Sequence, residues 1–121
     1  MMLYQELSNK LIGVFFEVHK LLGPGLLEKN YHNGLYIRLK EYGFNVKSGY
    51  YLPVFMGEHL VGEYYADLLV ENKIIIEVKA VQNFNNNHRA QIINYLRIAR
   101  CRLGFLVNFY TASCTFERLV L

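Results

Sequence analysis

The sequence predicts an α/β fold in which a mixed β-sheet is flanked by helices. Three observations predict it. Two stretches with helical periodicity lie before residue 43, strand patterns joined by tight turns fill residues 44–80, and a helical stretch at 88–101 precedes two short closing strands. Hairpin strands, then a helix, then a returning strand give a sheet with both antiparallel and parallel pairs.

Residues 3–22 place Leu7, Leu11, Phe15, Val18 and Leu22 three to four apart, which describes one face of a helix. Gly23-Pro24-Gly25 stops it, because the residue before proline avoids helical angles. Leu27, Tyr31, Leu35 and Leu39 mark a second helix, ended by Gly43 in the usual glycine position. Phe44–Ser48 and Tyr50–Met56 are aromatic and β-branched, and Pro53 makes the second an edge or bulged strand. Gly57-Glu58 is a turn, and His59–Val70 is a long strand interrupted at Gly62. Glu71-Asn72-Lys73 is a tight turn before Ile74–Ala80, the most strand-like run. A polar connection at Asn83–Asn87 leads into the third helix, with Ile92, Leu96 and Ala99 on its buried side. Leu103–Phe109 and Thr115–Val120 close the chain as strands.

At 121 residues the chain is expected to be one domain, 1–121, and needs no disulfide or metal to hold a core. Hydrophobic residues are 53% and charged ones 19%, an apolar excess that suggests self-association, as in a homodimer. The net charge of +3 is too small to announce a nucleic-acid binder. Its distribution says more: between Glu77 and Glu117 no acidic residue occurs, while Lys79, Arg89, Arg97, Arg100 and Arg102 do. Such a basic third suits phosphate contact or, equally, a solvated helix face. Two isolated cysteines, Cys101 and Cys114, make no zinc spacing. No signal peptide is apparent and no apolar run spans a membrane, so the expected location is cytoplasmic.

Asp67, the only aspartate, sits inside the apolar run Ala66-Asp67-Leu68-Leu69-Val70, where an unpaired carboxylate is costly. Glu77 and Lys79 interrupt the next strand, and alternation puts both on one face, opposite Ile76 and Val78. A three-residue loop pairs Val70 with Ile74 and hence Asp67 with Glu77; a two-residue loop sends Glu77 to the other face. Facing carboxylates suit magnesium or manganese, with Lys79 stabilising charge on a phosphate. A structural Asp–Lys–Glu ion network satisfies the same pattern.

Asp67 followed by Glu77-Val78-Lys79 resembles the D…(D/E)xK signature of the PD-(D/E)XK nuclease superfamily. Gln91-Ile92-Ile93-Asn94-Tyr95 looks like its downstream QxxxY motif, and Gly25-Leu26-Leu27-Glu28-Lys29-Asn30-Tyr31 matches the small GxxExxY family. The resemblance covers roughly residues 5 to 110, with Ala66 where the superfamily name has proline. It implies a restriction-endonuclease-like core of αβββαβ order, here with an extra N-terminal helix. It also implies Mg2+ (or Mn2+) held by Asp67, Glu77, the Val78 carbonyl and Glu28, with Lys79 near the attacking water and Gln91 and Tyr95 lining the site. The expected activity is phosphodiester hydrolysis of DNA, with RNA second, and Arg89, Arg97, Arg100 and His88 contacting nucleic acid. The alternative is a catalytically silent module binding nucleic acid or a protein partner. His19 is expected to pack or lie at the surface, and His32 and His59 carry no spacing signal.

Overall fold

The computed structural model describes residues 3–121. Helices α1 (Gln5–Leu22) and α2 (Glu28–Glu41) precede strands β1 (Val46–Met56), β2 (His59–Val70) and β3 (Ile74–Lys79). Helix α3 (Asn86–Ala99) then leads to β4 (Leu103–Asn108) and β5 (Thr115–Val120). The five strands form one sheet in the order β1-β2-β3-β4-β5. Only the β3–β4 pair, bridged by α3, is parallel; the others are antiparallel. The sheet is therefore mixed, as the element order predicts.

Alternation along β3 and β4 feeds two apolar layers. Ile74, Ile76, Val78, Phe105 and Val107 pack against Leu11, Phe15, Tyr31 and Leu35 of α1 and α2. Ile75 and Leu106 face the other way, toward Ile92 and Leu96 of α3. Both faces of these central strands are covered, which explains why they read as continuous apolar runs. Gly104 stands under α3, where an added Cβ would lie 2.8 Å from Ile92 Cδ1. Its missing side chain lets α3 sit close on the sheet.

The segments expected as two strands, 44–48 and 50–56, form a single strand that starts at Val46. Gly49 joins them at φ 61, a left-handed conformation that glycine adopts at little cost. Pairs Ser48↔Leu68 and Tyr50↔Ala66 flank it, so Gly49 stands across from Asp67. Strict alternation breaks there in both strands. Val46 and Leu68 belong to the α1–α2 layer, whereas Leu52 and Ala66 belong to the α3 layer. Beyond this break the β1–β2 ribbon continues past the end of β3, whose pairing stops at Leu68↔Ile76. β1 is an edge strand with a register shift between Val54 and Phe55, next to Pro53, as the proline predicts.

Candidate active site

The site begins with the β2–β3 turn. Glu71 and Asn72 have φ values of 53 and 55, and the Lys73 N–H donates to the Val70 carbonyl at 3.0 Å. That is the mirror-image turn that matches strand twist. Yet Val70 pairs with Ile74, leaving Lys73 as one extra residue, so the loop counts as three. The register that follows sets Asp67 across from Glu77. Past Leu68↔Ile76, side chains replace the ladder. The Asp67 N–H donates to Glu77 Oε2 at 2.6 Å, and the Val78 N–H donates to Asp67 Oδ2 at 2.8 Å.

Two helix N-termini arrive at this end of the sheet from opposite faces. Gly23 and Gly25, at φ 74 and 94, shape the turn between α1 and α2. Tyr31 holds that turn: its hydroxyl donates to the Gly23 carbonyl at 2.6 Å and accepts the Leu26 N–H at 3.1 Å. Its ring is fully buried and stacks on Phe109 at 4.7 Å. Glu28, the first residue of α2, is thereby set near Asp67 and Lys79. From the other face, Gln91 Oε1 accepts Lys79 Nζ at 3.3 Å. Tyr95, one turn further along α3, is buried close to both carboxylates, and its hydroxyl pKa is raised by burial and by the charges of Glu77 and Asp67.

Negative charge is in surplus. Glu77 is 4% exposed, and burial, then the Asp67 charge, push its pKa to about 8. Burial also raises Asp67, opposed by the Val78 amide, His32 and Lys79. Glu28 is raised by desolvation against the pull of Lys79, with Asp67 adding repulsion. Among the described residues Lys79 closes no ion pair within 4.0 Å on Asp67 or Glu77. A static Asp–Lys–Glu network is not what holds these strands.

His32 joins the site although sequence reasoning set it aside. Its Nδ1 lies 3.8 Å from Asp67 Oδ1, and its Nε2 is 2.7 Å from Ser48 Oγ. The available signal was its position four residues after Glu28, on the same helical face. His19 is buried instead, with Nε2 2.9 Å from the Thr111 carbonyl oxygen.

The basic residues do not converge on the carboxylates. Arg89 is held bidentately by Glu117, with both contacts at 2.7 Å. Arg97 donates to Asn94 at 3.0 Å, and Arg100 caps the far end of α3, about 14 Å along the helix from Gln91. His88 completes a capping box with Asn85: its Nδ1 accepts the Asn85 N–H at 3.2 Å. Burial, then Lys79 and Arg89, lower the His88 pKa and favour the neutral ring. A recess of about 970 Å³ lined by Gln5, Lys10, Phe44, Glu71 and Lys73, among others, touches none of the predicted site residues.

The family model of the PD-(D/E)XK nuclease superfamily matches residues 5–119. The chain belongs to this superfamily. No curated protein matches it. Among solved structures, the crystal structure of SSO0001 aligns with a TM-score of 0.60 at 21% identity, over 76% of this chain and 48% of that one. This chain thus spans about half the length of that protein, and the likeness is one of fold. The PD-(D/E)XK core runs from α2 through β4, with α1 as the extra N-terminal helix.

Nucleases of this superfamily generally use divalent metals. The donors fit that chemistry: hard carboxylate oxygens, crowded enough to be driven toward protonation, which a divalent cation relieves. Among the described residues no three His, Cys, Asp or Glu side chains lie together so as to hold a metal ion. Asp67 and Glu77 are an open pair, and a hard divalent cation takes one or two carboxylates and completes its shell with water.

Proposed function

We propose that this chain, acting as one domain, is a divalent-metal-dependent nuclease of the GxxExxY group that hydrolyses phosphodiester bonds of DNA, with RNA the second choice. One observation carries the reading: Asp67 and Glu77 face each other across a three-residue loop, with Lys79 two residues on and within reach of Gln91. Asp67 and Glu77, with the Val78 carbonyl, would hold Mg2+ or Mn2+, and Glu28 would complete the surroundings through water. When bound, the metal polarises a phosphoryl oxygen and eases deprotonation of the attacking water.

The remaining roles belong to the chain. The Asp67 and Val78 amides fix the two carboxylates in place before substrate arrives, so no reorganisation is needed on binding. Lys79, steadied by Gln91, directs its charge at the phosphate as negative charge develops there. His32, anchored on Ser48, orients Asp67 from behind. Tyr95 keeps the α3 side of the carboxylates dry. Arg97 and Arg100 are assigned to phosphates further along the strand, with His88 nearer the site, while Arg89 is occupied by Glu117. The exposed ribbon tip, Phe55, Met56, Leu60 and Val61, supports self-association as a homodimer.

The test is incubation of supercoiled, linear, branched and single-stranded substrates with Mg2+ or Mn2+. Wild type is expected to cut at least one of them and Lys79→Ala none. Identical behaviour of the two proteins on every substrate contradicts the nuclease reading and favours the silent binding module.

A further inference from the structure

Beside the carboxylates, the β1–β2 ribbon and α3 enclose a recess of about 270 Å³ lined by Tyr64, Asn87, Ala90, Gln91, Asn94 and Tyr95. Two of these residues already belong to the site: Gln91 bonds Lys79, and Tyr95 lies against the carboxylates. The recess therefore opens next to the point where a scissile phosphate meets Lys79.

Its chemistry selects the ligand. None of these six side chains carries a charge; the cations Lys79 and Arg97 stand at the margins, bonded to Gln91 and Asn94. What they offer is an aromatic face and carboxamides. The Tyr64 ring is half-exposed and stands 5.9 Å from Tyr95 at 48°. Asn94 has its oxygen engaged by Arg97, which leaves its amide group free to donate. Carboxamides both donate and accept, and so match the edge of a ring that does the same. A flat, neutral ring with a hydrogen-bonding edge is a nucleobase.

The base must also be unpaired, because a paired base keeps its ring in the stack and its Watson–Crick edge occupied. The ribbon beside the recess gives a second strand little to hold. From Ser48 to Asn72 the chain carries Glu58, Glu63, Asp67 and Glu71 but no lysine or arginine. Duplex binding without phosphate contacts on that side loses its main source of affinity.

We propose that this recess is a subsite for one unpaired nucleobase flanking the scissile phosphate, which makes the substrate single-stranded or locally unpaired nucleic acid. The proposal rests on the nuclease reading for its role, but the binding event is measurable without hydrolysis. Fluorescence anisotropy in EDTA compares a labelled single-stranded DNA oligonucleotide, its duplex and an abasic chain of equal length.

Wild type is expected to bind the single strand more tightly than the other two. Tyr64→Ala is expected to weaken single-strand binding about tenfold or more, and Tyr64→Phe, which keeps the stacking face, to retain it. Asn94→Ala, on an exposed helix position, gives a second reading that does not depend on the ribbon folding normally; a several-fold loss is expected. Equal single-strand affinity of wild type, Tyr64→Ala and Asn94→Ala overturns the subsite, as does a duplex bound as tightly as the single strand. If wild type and Tyr64→Ala cut duplex DNA equally well, the subsite falls and the nuclease reading stands. If single strands bind through Tyr64 and no substrate is ever cut, the nuclease reading falls and the subsite stands.

Discussion

Glu77 accepts the backbone N–H of Asp67, the residue facing it across the hairpin, at 2.6 Å. The Val78 N–H answers by donating to Asp67 Oδ2 at 2.8 Å. These two bonds take over where the β2–β3 ladder ends and hold the pair of carboxylates. The pocket is dry enough to raise both pKa values, Glu77 to about 8. The same contacts that build the site thus load it with electrostatic strain, which accounts for how the metal-free protein should respond to pH.

The ordinary Glu77 pKa is 4.5 and the folded one is about 8. Between those values the folded chain keeps a proton that the unfolded chain has released. Stability of the metal-free protein is therefore fully present below the ordinary value, falls as pH rises through the window and levels off above it. The slope approaches about 1.4 kcal/mol per pH unit in mid-window. Glu77→Gln, which cannot ionise, is expected to flatten the profile. Urea midpoints of both proteins in EDTA across this window check the sign.

Truncating His32 removes the group behind Asp67 without opening a core, since the histidine is only half-buried. His32→Ala is expected to cost about 10- to 100-fold in metal affinity or metal-dependent activity, the usual effect of losing a partner of a metal ligand. Thermal melting should barely move. A large loss of stability with unchanged metal response would assign His32 to packing alone.

Tyr31→Phe keeps the stacked ring on Phe109 but strips the hydroxyl from the Gly23 carbonyl and the Leu26 amide. Leaving these groups unsatisfied is expected to cost about 1–3 kcal/mol in denaturant unfolding. Glu28 should also be held less firmly. A stability equal to wild type would mean that water replaces both bonds.

The arginines of α3 separate into two kinds. Arg89→Ala breaks the bidentate contact with Glu117 and is expected to lower the melting temperature slightly, with little change in the salt dependence of nucleic-acid binding. Arg97→Ala and Arg100→Ala should leave stability unchanged and each lower the salt slope by about 1. Affinity measured against salt concentration distinguishes them.

Much of this arrangement was legible in the chain. The loop at 71–73 left two registers open, and the fold takes the three-residue one, which puts Asp67 and Glu77 in one pair; alternation adds Lys79. Gln91 and Tyr95 came from the resemblance to the QxxxY motif, and four-residue spacing lets both share one helix face. What sequence spacing missed depends on partners far along the chain. Arg89 reads as a free cation until the sheet brings Glu117 beside α3. His32 carries no spacing signal until β1 and β2 supply Ser48 and Asp67. Gly49 reads as a break between strands, whereas the left-handed angle it tolerates lets one strand change faces. Local pattern specifies elements and register; tertiary pairing decides which polar groups remain free.

The central claim is that a divalent cation belongs between β2 and β3. Calorimetric titration of Mg2+ and Mn2+ into the metal-free protein tests it most directly, with Asp67→Asn as the comparison. Binding by wild type that Asp67→Asn abolishes is the predicted result. No heat from either ion, or the same affinity in both proteins, would contradict it.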